Sequence, residues 1–341
     1  MIRLSKFVSY AVIAPLVLGG VMAFLPSAGS TEELKIAHFM SPKHPMDRFL
    51  MRPWAKEIAK ITNNDLTARI YPGGELGKGP RAQFKRAVDG IADITFGLQG
   101  YTSKQFPRTT LIELPAVAPN AVEATKRLWD IYDRYLAVEY KRVKTLAIWN
   151  AESPILMTKN KPIRKISDIK GLKIRTPSKA QADLIKALGA TPVAMPVTRM
   201  YNALNTGVVD ALMVPASVIR SFKIGEVAKY YTTGLPFGQS PFFLLMNRPK
   251  WESLSASQKA AVNKTTGRGL SLKGAKFYEK AGAKGLKSVS KGGKHEVISL
   301  SSDEVKKGTA LLIKARKKIV ADLEKKGIPA KAILAAMGVV S

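Results

Sequence analysis

From Leu34 onward the chain alternates short runs of β-forming residues with amphipathic helical segments, and this alternation restricts its fold more than any other feature. Strands that alternate with helices are typical of α/β architecture, in which right-handed crossover units build a sheet covered by helices. Pro53 should kink or restart the first helix. The first series predicts strands at Leu34 to Phe39, Leu66 to Tyr71 and Ile91 to Phe96, and helices at Met46 to Ile61 and Arg81 to Val88.

Later segments continue the same pattern. Asn120 and Glu123 form a capping-box-like start for a helix to about Arg142, and Ser255 and Ser301 are N-cap residues for two later helices. Glycines 267, 269 and 274 should break up the helical region from Ser255 to about Lys287. The remaining predicted strands are Lys144 to Trp149, Ile155 to Thr158, Leu172 to Arg175, Thr191 to Ala194, Val208 to Met213, Phe242 to Met246 and Glu296 to Leu300, and the remaining predicted helices are Lys179 to Leu188 and Arg199 to Asn205.

Two distant segments share a local pattern, in which a helix ends at a glycine and a strand with an early aspartate follows. Gly90 and Asp93 are the first pair, and Gly207 and Asp210 are the second. Glycine suits this helix end because it adopts the left-handed conformation without a Cβ penalty. Duplication of a lobe and an ordinary helix-to-strand turn both explain the pattern. Either way the sequence predicts two similar α/β lobes, and ligands of such sheets bind beyond the carboxyl ends of the strands.

The first thirty residues resemble a secretory signal. Arg3 and Lys6 precede an apolar run from Phe7 to Leu25, and the small residues Ala28 and Ser30 suit cleavage before Thr31. An uncleaved membrane anchor is the alternative, and no later stretch is apolar enough to span a bilayer. The mature chain of about 310 residues is long enough for two ordinary domains without disulfides. Because the chain contains no cysteine, thiol catalysis and cysteine-rich metal sites are excluded.

The formal net charge of +30 would suit binding to nucleic acid or to an anionic membrane. The late lysine pairs, however, lie between apolar residues at helical spacing, and aromatic residues are not interleaved with them as base stacking would require. We therefore expect a solvated helix face and no nucleic-acid partner. These lysine pairs are 306–307, 317–318 and 325–326.

Signatures of enzymes, cofactors and metals are absent from the sequence. Gly77-Lys78 resembles the end of a P-loop, but Pro72 stands where the first glycine is needed and Gly79 replaces the magnesium-binding hydroxyl. The same segment fits a dinucleotide fingerprint poorly. His38, His44 and His295 lack metal-ligand spacing, and no serine lies in a nucleophile elbow. We expect no catalytic residue, no metal and no cofactor.

One charged residue stands out, because the strand that follows the turn at Ser167 to Gly171 ends on Arg175. A strand end faces the predicted cleft, and a guanidinium can offer a carboxylate two parallel hydrogen bonds. A structural salt bridge explains an arginine at this position equally well.

Several phrases together resemble the DctP-type solute-binding proteins of TRAP transporters. They are Ile70 to Gly77, Gly171 to Arg175, Leu188 to Val193, Met200 to Leu204 with Gly207 to Asp210, and Glu226 to Tyr230. The resemblance covers nearly the whole mature chain in the expected order. It implies a periplasmic receptor that closes on a small organic acid and delivers it to the membrane permease subunits, without catalysis.

The resemblance also implies a two-lobed fold of the class II periplasmic-binding-protein type, with an interlobe cleft and a long hinge-spanning helix. Residues 1–30 would be the signal peptide. The first lobe would comprise 31–150 plus about 240–280, and the second 151–239 plus about 281–341. A dicarboxylate or keto-acid receptor of the same family, or a basic surface or membrane-associated binding protein, is the alternative function.

In this family the arginine of the Gly-Leu-Lys-Ile-Arg phrase pairs with the substrate carboxylate, and it corresponds to Arg175. Two family features are missing, because the strand at Ile155 to Thr158 lacks an arginine and Val214 stands where a polar residue is common. Both losses favour a monocarboxylate with an apolar or aromatic part, since buried polar groups need partners. The other predicted contacts are Phe39, Tyr101, Trp149, Asn150 and Val214 at or just after strand ends, Phe237 near the crossing between the lobes, and His44 near the start of the first helix.

Overall fold

The computed structural model describes residues 31–77, 79–291 and 293–339, so the predicted signal segment lies outside the described residues. The strands are β1 (Glu32–Ala37), β2 (Leu66–Tyr71), β3 (Ile94–Leu98), β4 (Val143–Asn150), β5 (Ile155–Thr158), β6 (Lys173–Thr176), β7 (Thr191–Ala194), β8 (Ala211–Val214), β9 (Tyr230–Thr233), β10 (Pro241–Asn247) and β11 (Glu296–Ser299). The α-helices are α1 (Arg52–Ile61), α2 (Gln83–Val88), α3 (Ala121–Asp130), α4 (Lys179–Ala187), α5 (Met200–Asn205), α6 (Val218–Ser221), α7 (Arg248–Ser253), α8 (Ala256–Thr265), α9 (Arg268–Val289), α10 (Ser302–Glu324) and α11 (Ala330–Ala336).

These strands form two mixed sheets. The first has the order β2-β1-β3-β10-β4, in which β1 is parallel to β2 and β3 while β10 runs antiparallel to β3 and β4. The second has the order β11-β9-β5-β8-β6-β7, in which β6 is parallel to β7 and β8 while β5 runs antiparallel to β8 and β9. The α/β prediction is therefore confirmed.

The repeated glycine and aspartate pattern has the same structural role in both sheets. Gly90 and Gly207 adopt positive φ angles of 71° and 75°. The carboxylate of Asp93 accepts a hydrogen bond of 2.8 Å from the backbone N–H of Lys35, and Asp210 accepts one of 2.8 Å from Lys173. Each aspartate thus bonds to a neighbouring strand through its side chain, and β3 and β8 begin one residue after it, three residues later than predicted.

Predicted helix starts agree with the structure. The side chains of Asn120, Ser255 and Ser301 each accept a hydrogen bond from the backbone N–H three residues later. Pro53 lies in the first turn of α1, which a π-helical turn at Asp47–Met51 precedes. The predicted helix to Arg142 was wrong, because α3 ends at Asp130 and separate π and 3-10 turns continue to Tyr140.

A tertiary contact explains that early end. Glu139 is buried, and its carboxyl group accepts hydrogen bonds from the backbone N–H groups of Arg108 and Thr109 at 2.6 and 3.0 Å. Burial raises the pKa of Glu139 to about 7. A continuous helix would carry this side chain away from the loop that it holds.

Only one of the three predicted glycine breaks occurs. Gly267, with φ of 72°, separates α8 from α9, whereas Gly269 and Gly274 lie within the 22 residues of α9. A Cβ atom on Gly274 would lie 2.9 Å from Cγ of Trp149, so this glycine allows α9 to pack closely on β4. It serves packing and not helix termination.

No sequence pattern predicted β9, α6, α7 or α11. Strand β9 joins β5 to β11 in the second sheet. Helix α11 packs its buried Ile333 and Leu334 in one hydrophobic cluster with Leu128 and Tyr140, which belong to the first part of the chain. The exact extent of each lobe thus stays a proposal.

The late lysine pairs form a solvated surface, as predicted. All six of their residues are exposed, along α10 and just after it. Within the described part of the chain, no helix has both the length and the apolar composition that crossing a membrane requires.

Candidate functional site

A cavity lies where the strand ends of the two sheets meet. Phe39 and Met40 follow β1, Tyr101 follows β3, Arg175 belongs to β6 and Val214 ends β8. The atoms of its wall enclose about 490 Å³ of space, open solvent at the mouth included. The wall also contains the apolar residues Leu98, Ala151, Pro177, Val197, Pro215, Val218, Phe222 and Phe242, and the polar or amphipathic residues His44, Ser217, Ser240 and Tyr278.

Arg175 is the charged group of this wall and is only 2% exposed. Its Nε–H donates to the backbone carbonyl of Met195 at 3.0 Å, and Nη1 donates to that of Met213 at 3.3 Å. Nη2 donates to the hydroxyl of Tyr101 at 3.5 Å. None of the ion pairs in the described part of the chain includes Arg175.

The partners of Arg175 are therefore neutral dipoles. Burial lowers the pKa of Arg175 from its ordinary value, but an arginine remains protonated at neutral pH. A guanidinium has five N–H groups, and the three contacts leave one hydrogen on each Nη atom without a described acceptor. A buried charge without a counter-ion is unfavourable, so this arrangement suits an anion that enters the cavity.

Tyr101 links Arg175 to the other side of the cavity. Its hydroxyl oxygen accepts a hydrogen bond of 2.8 Å from the backbone N–H of Val197 in addition to the contact from Arg175. Burial raises the pKa of Tyr101, so the hydroxyl keeps its proton. Because the oxygen already accepts two hydrogen bonds, its own proton is free to be donated to a ligand.

His44 is a neutral polar group in the same wall. The backbone N–H of Met46 donates to Nδ1 of His44 at 3.2 Å, which leaves the ring proton on Nε2. Burial lowers the pKa of His44 to about 3. The ring contacts Phe222 and Tyr278 edge-on, with centroids 5.8 and 6.5 Å apart. His44 can donate one hydrogen bond and offers no charge.

Two further hydrogen bonds join the first-sheet part of the chain to α4. Ser178, the N-cap residue of α4, donates its hydroxyl to the carboxyl group of buried Glu113. Gln181 donates from Nε2 to the hydroxyl of Ser240 at 2.9 Å. Burial raises the pKa of Glu113 to about 8, so this group is a neutral acid at pH 7. Neutral groups thus make these contacts between the two parts of the chain.

The structure brings five of the eight predicted contact residues to the cavity: Phe39, His44, Tyr101, Arg175 and Val214. It places Trp149, Asn150 and Phe237 in the core instead. Trp149 packs beneath α9 with its ring 5.8 Å from that of Phe96, and Phe237 belongs to the core of the second sheet. Trp149 and Asn150 do end β4, but α9 and Phe242 cover the ring of Trp149. Phe237 lies in the segment between β9 and β10.

The wall also contains residues that were not predicted as contacts from the sequence, among them Phe222, Ser240, Phe242 and Tyr278. Phe242 lies in β10 and pairs with both Leu98 and Trp149 in the first sheet. Because the sequence predicted that this strand belongs to the first lobe, Phe242 could have been predicted as a wall residue. Tyr278 lies in the middle of α9, and no local pattern distinguishes it from an ordinary core residue.

Metal ligation has no support in the geometry. Across residues 31–77, 79–291 and 293–339, no group of three or more histidine, aspartate or glutamate side chains is arranged to hold a metal ion. The ring of His44, the histidine of the cavity wall, lies against Phe222 and Tyr278.

Comparison with known proteins identifies related chains over most of this sequence. The model of the DctP family, described as bacterial extracellular solute-binding protein, family 7, matches residues 36–322. A curated solute-binding protein from Albidiferax ferrireducens is 28% identical over 309 residues, which cover 84% of this chain and 86% of the relative.

Solved structures share the fold. A TRAP solute-binding protein from Rhodoferax ferrireducens, crystallised with copurified benzoate, matches with a TM-score of 0.86 and 25% identity, over 90% of this chain and 96% of that one. A TRAP periplasmic solute-binding protein from Bordetella bronchiseptica, with bound (R)- and (S)-mandelate, has a TM-score of 0.81 and 29% identity, over 89% and 97%.

Proposed function

Since the chain belongs to the DctP family of bacterial extracellular solute-binding proteins, we propose that it is a TRAP transporter receptor whose cavity binds a small aromatic monocarboxylate. Arg175 pairs with the carboxylate in this proposal, and the apolar wall holds the ring. The observation that carries the proposal is the buried guanidinium of Arg175, which is 2% exposed and has only neutral partners among the described residues.

The geometry of Arg175 matches a carboxylate. One free hydrogen on each Nη atom can reach two carboxylate oxygens in parallel, and such charge-assisted pairs are stronger than neutral hydrogen bonds. The hydroxyl of Tyr101 lies beside Nη2 and can donate to the same anion. A bound carboxylate would therefore supply the negative charge that none of the described partners of Arg175 provides.

The apolar residues of the wall determine which uncharged part of a ligand fits the cavity. Phe39, Phe222 and Phe242 present aromatic surface, and Val214 and Val218 present aliphatic surface. A polyhydroxylated sugar acid would lose hydrogen bonds to water against these side chains without regaining them. The benzoate and mandelate bound to the two similar proteins are acids with an aromatic ring, which supports the same ligand class here.

The remaining expectations complete the proposed role. Export by the segment 1–30 would place the chain in the periplasm, where it would deliver its ligand to membrane permease subunits without catalysis or a cofactor. The two lobes, 31–150 plus about 240–280 and 151–239 plus about 281–341, would close around the acid. Closure of this kind shifts a pre-existing equilibrium by the free energy of the contacts that the ligand makes only in the closed form.

Calorimetric titration with benzoate and (R)-mandelate tests the proposal. We expect saturable binding of either acid that depends on Arg175, and no binding of benzamide, which has the same ring without the charge. Arg175→Ala should weaken binding roughly 100-fold, since two charge-assisted hydrogen bonds are lost. Arg164→Ala is the matched control, because Arg164 is an exposed arginine paired with Glu296.

Galacturonate and succinate complete the ligand panel as a sugar acid and a dicarboxylate. If either binds more tightly than the aromatic acids, the proposed ligand class is wrong. If the aromatic acids bind equally well to Arg175→Ala, the assignment of the anchor is wrong.

A further inference from the structure

A second and larger concavity lies beside the cavity and has a strongly positive wall. It encloses about 1500 Å³ including open solvent, and its lining combines six cationic side chains with two phenylalanines. No aspartate or glutamate belongs to this lining within the described residues. We call it the basic groove, and its defining residues are Lys43, Arg48, Phe49, Arg220, Lys223, Phe277, Lys280 and Lys284.

Most of these cations have no counter-ion. Lys223 lies 3.7 Å from a carboxylate oxygen of Glu226, and it is the one groove cation in any ion pair of residues 31–77, 79–291 and 293–339. The guanidinium of Arg48 stacks over the ring of Phe49 at 5.5 Å. Positive charges concentrated in a concave surface raise the local concentration of anions.

Helix α9 contributes one continuous face to the groove. Phe277, Lys280, Ala281 and Lys284 recur at the helical spacing of three and four residues. Lys280 and Lys284 are like charges four positions apart, which destabilises a helix slightly unless an anion lies between them. Local helix stability therefore does not explain this pair.

An exposed aromatic pair lies within the same positive surface. Phe49 is 50% exposed, and its ring stacks on that of Phe277 with centroids 6.0 Å apart and an angle of 28°. A half-exposed phenylalanine surrounded by cations offers apolar contact area and charge to the same ligand. That combination suits an anion with an aromatic body better than it suits a small inorganic ion.

We propose that the basic groove is a second binding site, separate from Arg175, which takes organic anions that carry an aromatic body. The anionic group lies against Lys280 and Lys284, and the aromatic body lies on the Phe49 and Phe277 pair. His44 and Ser217 line both the groove and the cavity, so the two sites share a wall. The groove site does not require that the cavity bind an aromatic acid.

Fluorescence titration with 8-anilinonaphthalene-1-sulfonate tests this site, because the probe is an aromatic sulfonate. We expect saturable binding with one probe per folded chain, which sodium chloride weakens by screening. Lys280→Glu/Lys284→Glu should weaken it about tenfold, the effect of reversing two exposed charges beside an anion. Phe49→Ala should weaken it in the same direction without altering net charge.

Two control variants separate binding in the groove from a general effect of net charge and from binding in the cavity. Lys317→Glu/Lys318→Glu changes the net charge equally on the exposed face of α10 and should bind the probe as the wild type does. Arg175→Ala removes the proposed anchor of the cavity and should also leave probe binding intact. An equal loss in the α10 variant, a loss in Arg175→Ala, or the absence of saturable binding would each overturn the proposal, whatever the cavity binds.

Discussion

At the scale of single residues, the hydroxyl of Tyr101 makes hydrogen bonds to two other residues of the cavity wall. It accepts hydrogen bonds from Val197 N–H and from Arg175, which come from different strands and loops of the second-sheet part of the chain. Tyr101 itself follows β3 of the first sheet. The hydroxyl of Tyr101 thus connects the first-sheet part of the chain with Arg175 and Val197 of the second-sheet part.

We predict that Tyr101→Phe weakens benzoate binding about tenfold, because the Val197 N–H loses its partner in the closed form and the ligand loses a donor. Isothermal titration calorimetry measures this change. Tyr201→Phe is the control, since the hydroxyl of Tyr201 donates to Glu226 at the surface. Equal affinity of Tyr101→Phe and wild type would contradict the role given to this hydroxyl.

The residues also show what sequence reasoning can locate at a site. Arg175 and Val214 were found because a strand end and a family phrase coincide there, and the structure places both in the cavity wall. Trp149 was misplaced because its ring is covered by Phe242 and by Gly274 of α9, and no local pattern around Trp149 indicates these contacts. Tyr278 was missed because a helix distant in sequence brings it there.

At the scale of elements, α9 is held by close approaches at particular glycines. A Cβ atom on Gly285 would lie 2.3 Å from the backbone oxygen of Ala216, whereas one on Gly269 would meet nothing within 4 Å. Both glycines belong to the same helix. Alanine substitutions at these two glycines therefore distinguish the effect of helix propensity on stability from the effect of packing.

We predict that Gly285→Ala destabilises the protein by about 1–3 kcal/mol, because backbone atoms must move to admit the methyl group. Gly269→Ala should stabilise it by up to ~1 kcal/mol through the lower entropy of the unfolded chain. Urea unfolding followed by circular dichroism measures both. Stabilisation by Gly285→Ala as well would show that α9 does not pack closely against Ala216.

Element types were easier to predict than their limits. Ten of the eleven strands were predicted, but β3 and β8 begin three residues late, just after Asp93 and Asp210, whose carboxylates bond to neighbouring strands. The helix after Asn120 stops early because Glu139 is drawn into a distant loop. Contacts between residues far apart in sequence determine where such helices and strands begin and end. Local helix and strand propensities carry no information about these contacts.

At the scale of the whole molecule, buried carboxyl groups link stability to pH. Burial raises the pKa of Glu113 to about 8 and the pKa values of Glu139 and Glu152 to about 7, from an ordinary value of 4.5. Between pH 4.5 and these values the unfolded chain releases protons that the folded chain retains. These groups therefore lower the free energy of unfolding as pH rises through that window.

We predict that Glu113→Gln becomes progressively more stable relative to the wild type as pH rises from 5 to 8, by up to about 1.4 kcal/mol per pH unit. The amide of glutamine cannot ionise, so the free energy of unfolding of the variant does not fall when a buried carboxyl group would lose its proton. Urea unfolding of both proteins at several pH values measures the difference. A stability difference between Glu113→Gln and the wild type that stays constant with pH would contradict the prediction.

The placement of the cavity has a consequence for how such receptors diversify. Phe39 and Tyr101 lie beyond their strands, and Val214 and Phe242 lie near strand ends, while the strands themselves are joined by backbone hydrogen bonds that do not depend on these side chains. Substitutions at such positions can reshape the pocket while both sheets keep their register. One scaffold can therefore change the solute that it accepts through a few substitutions, while Arg175 keeps its proposed role as the partner of the carboxylate.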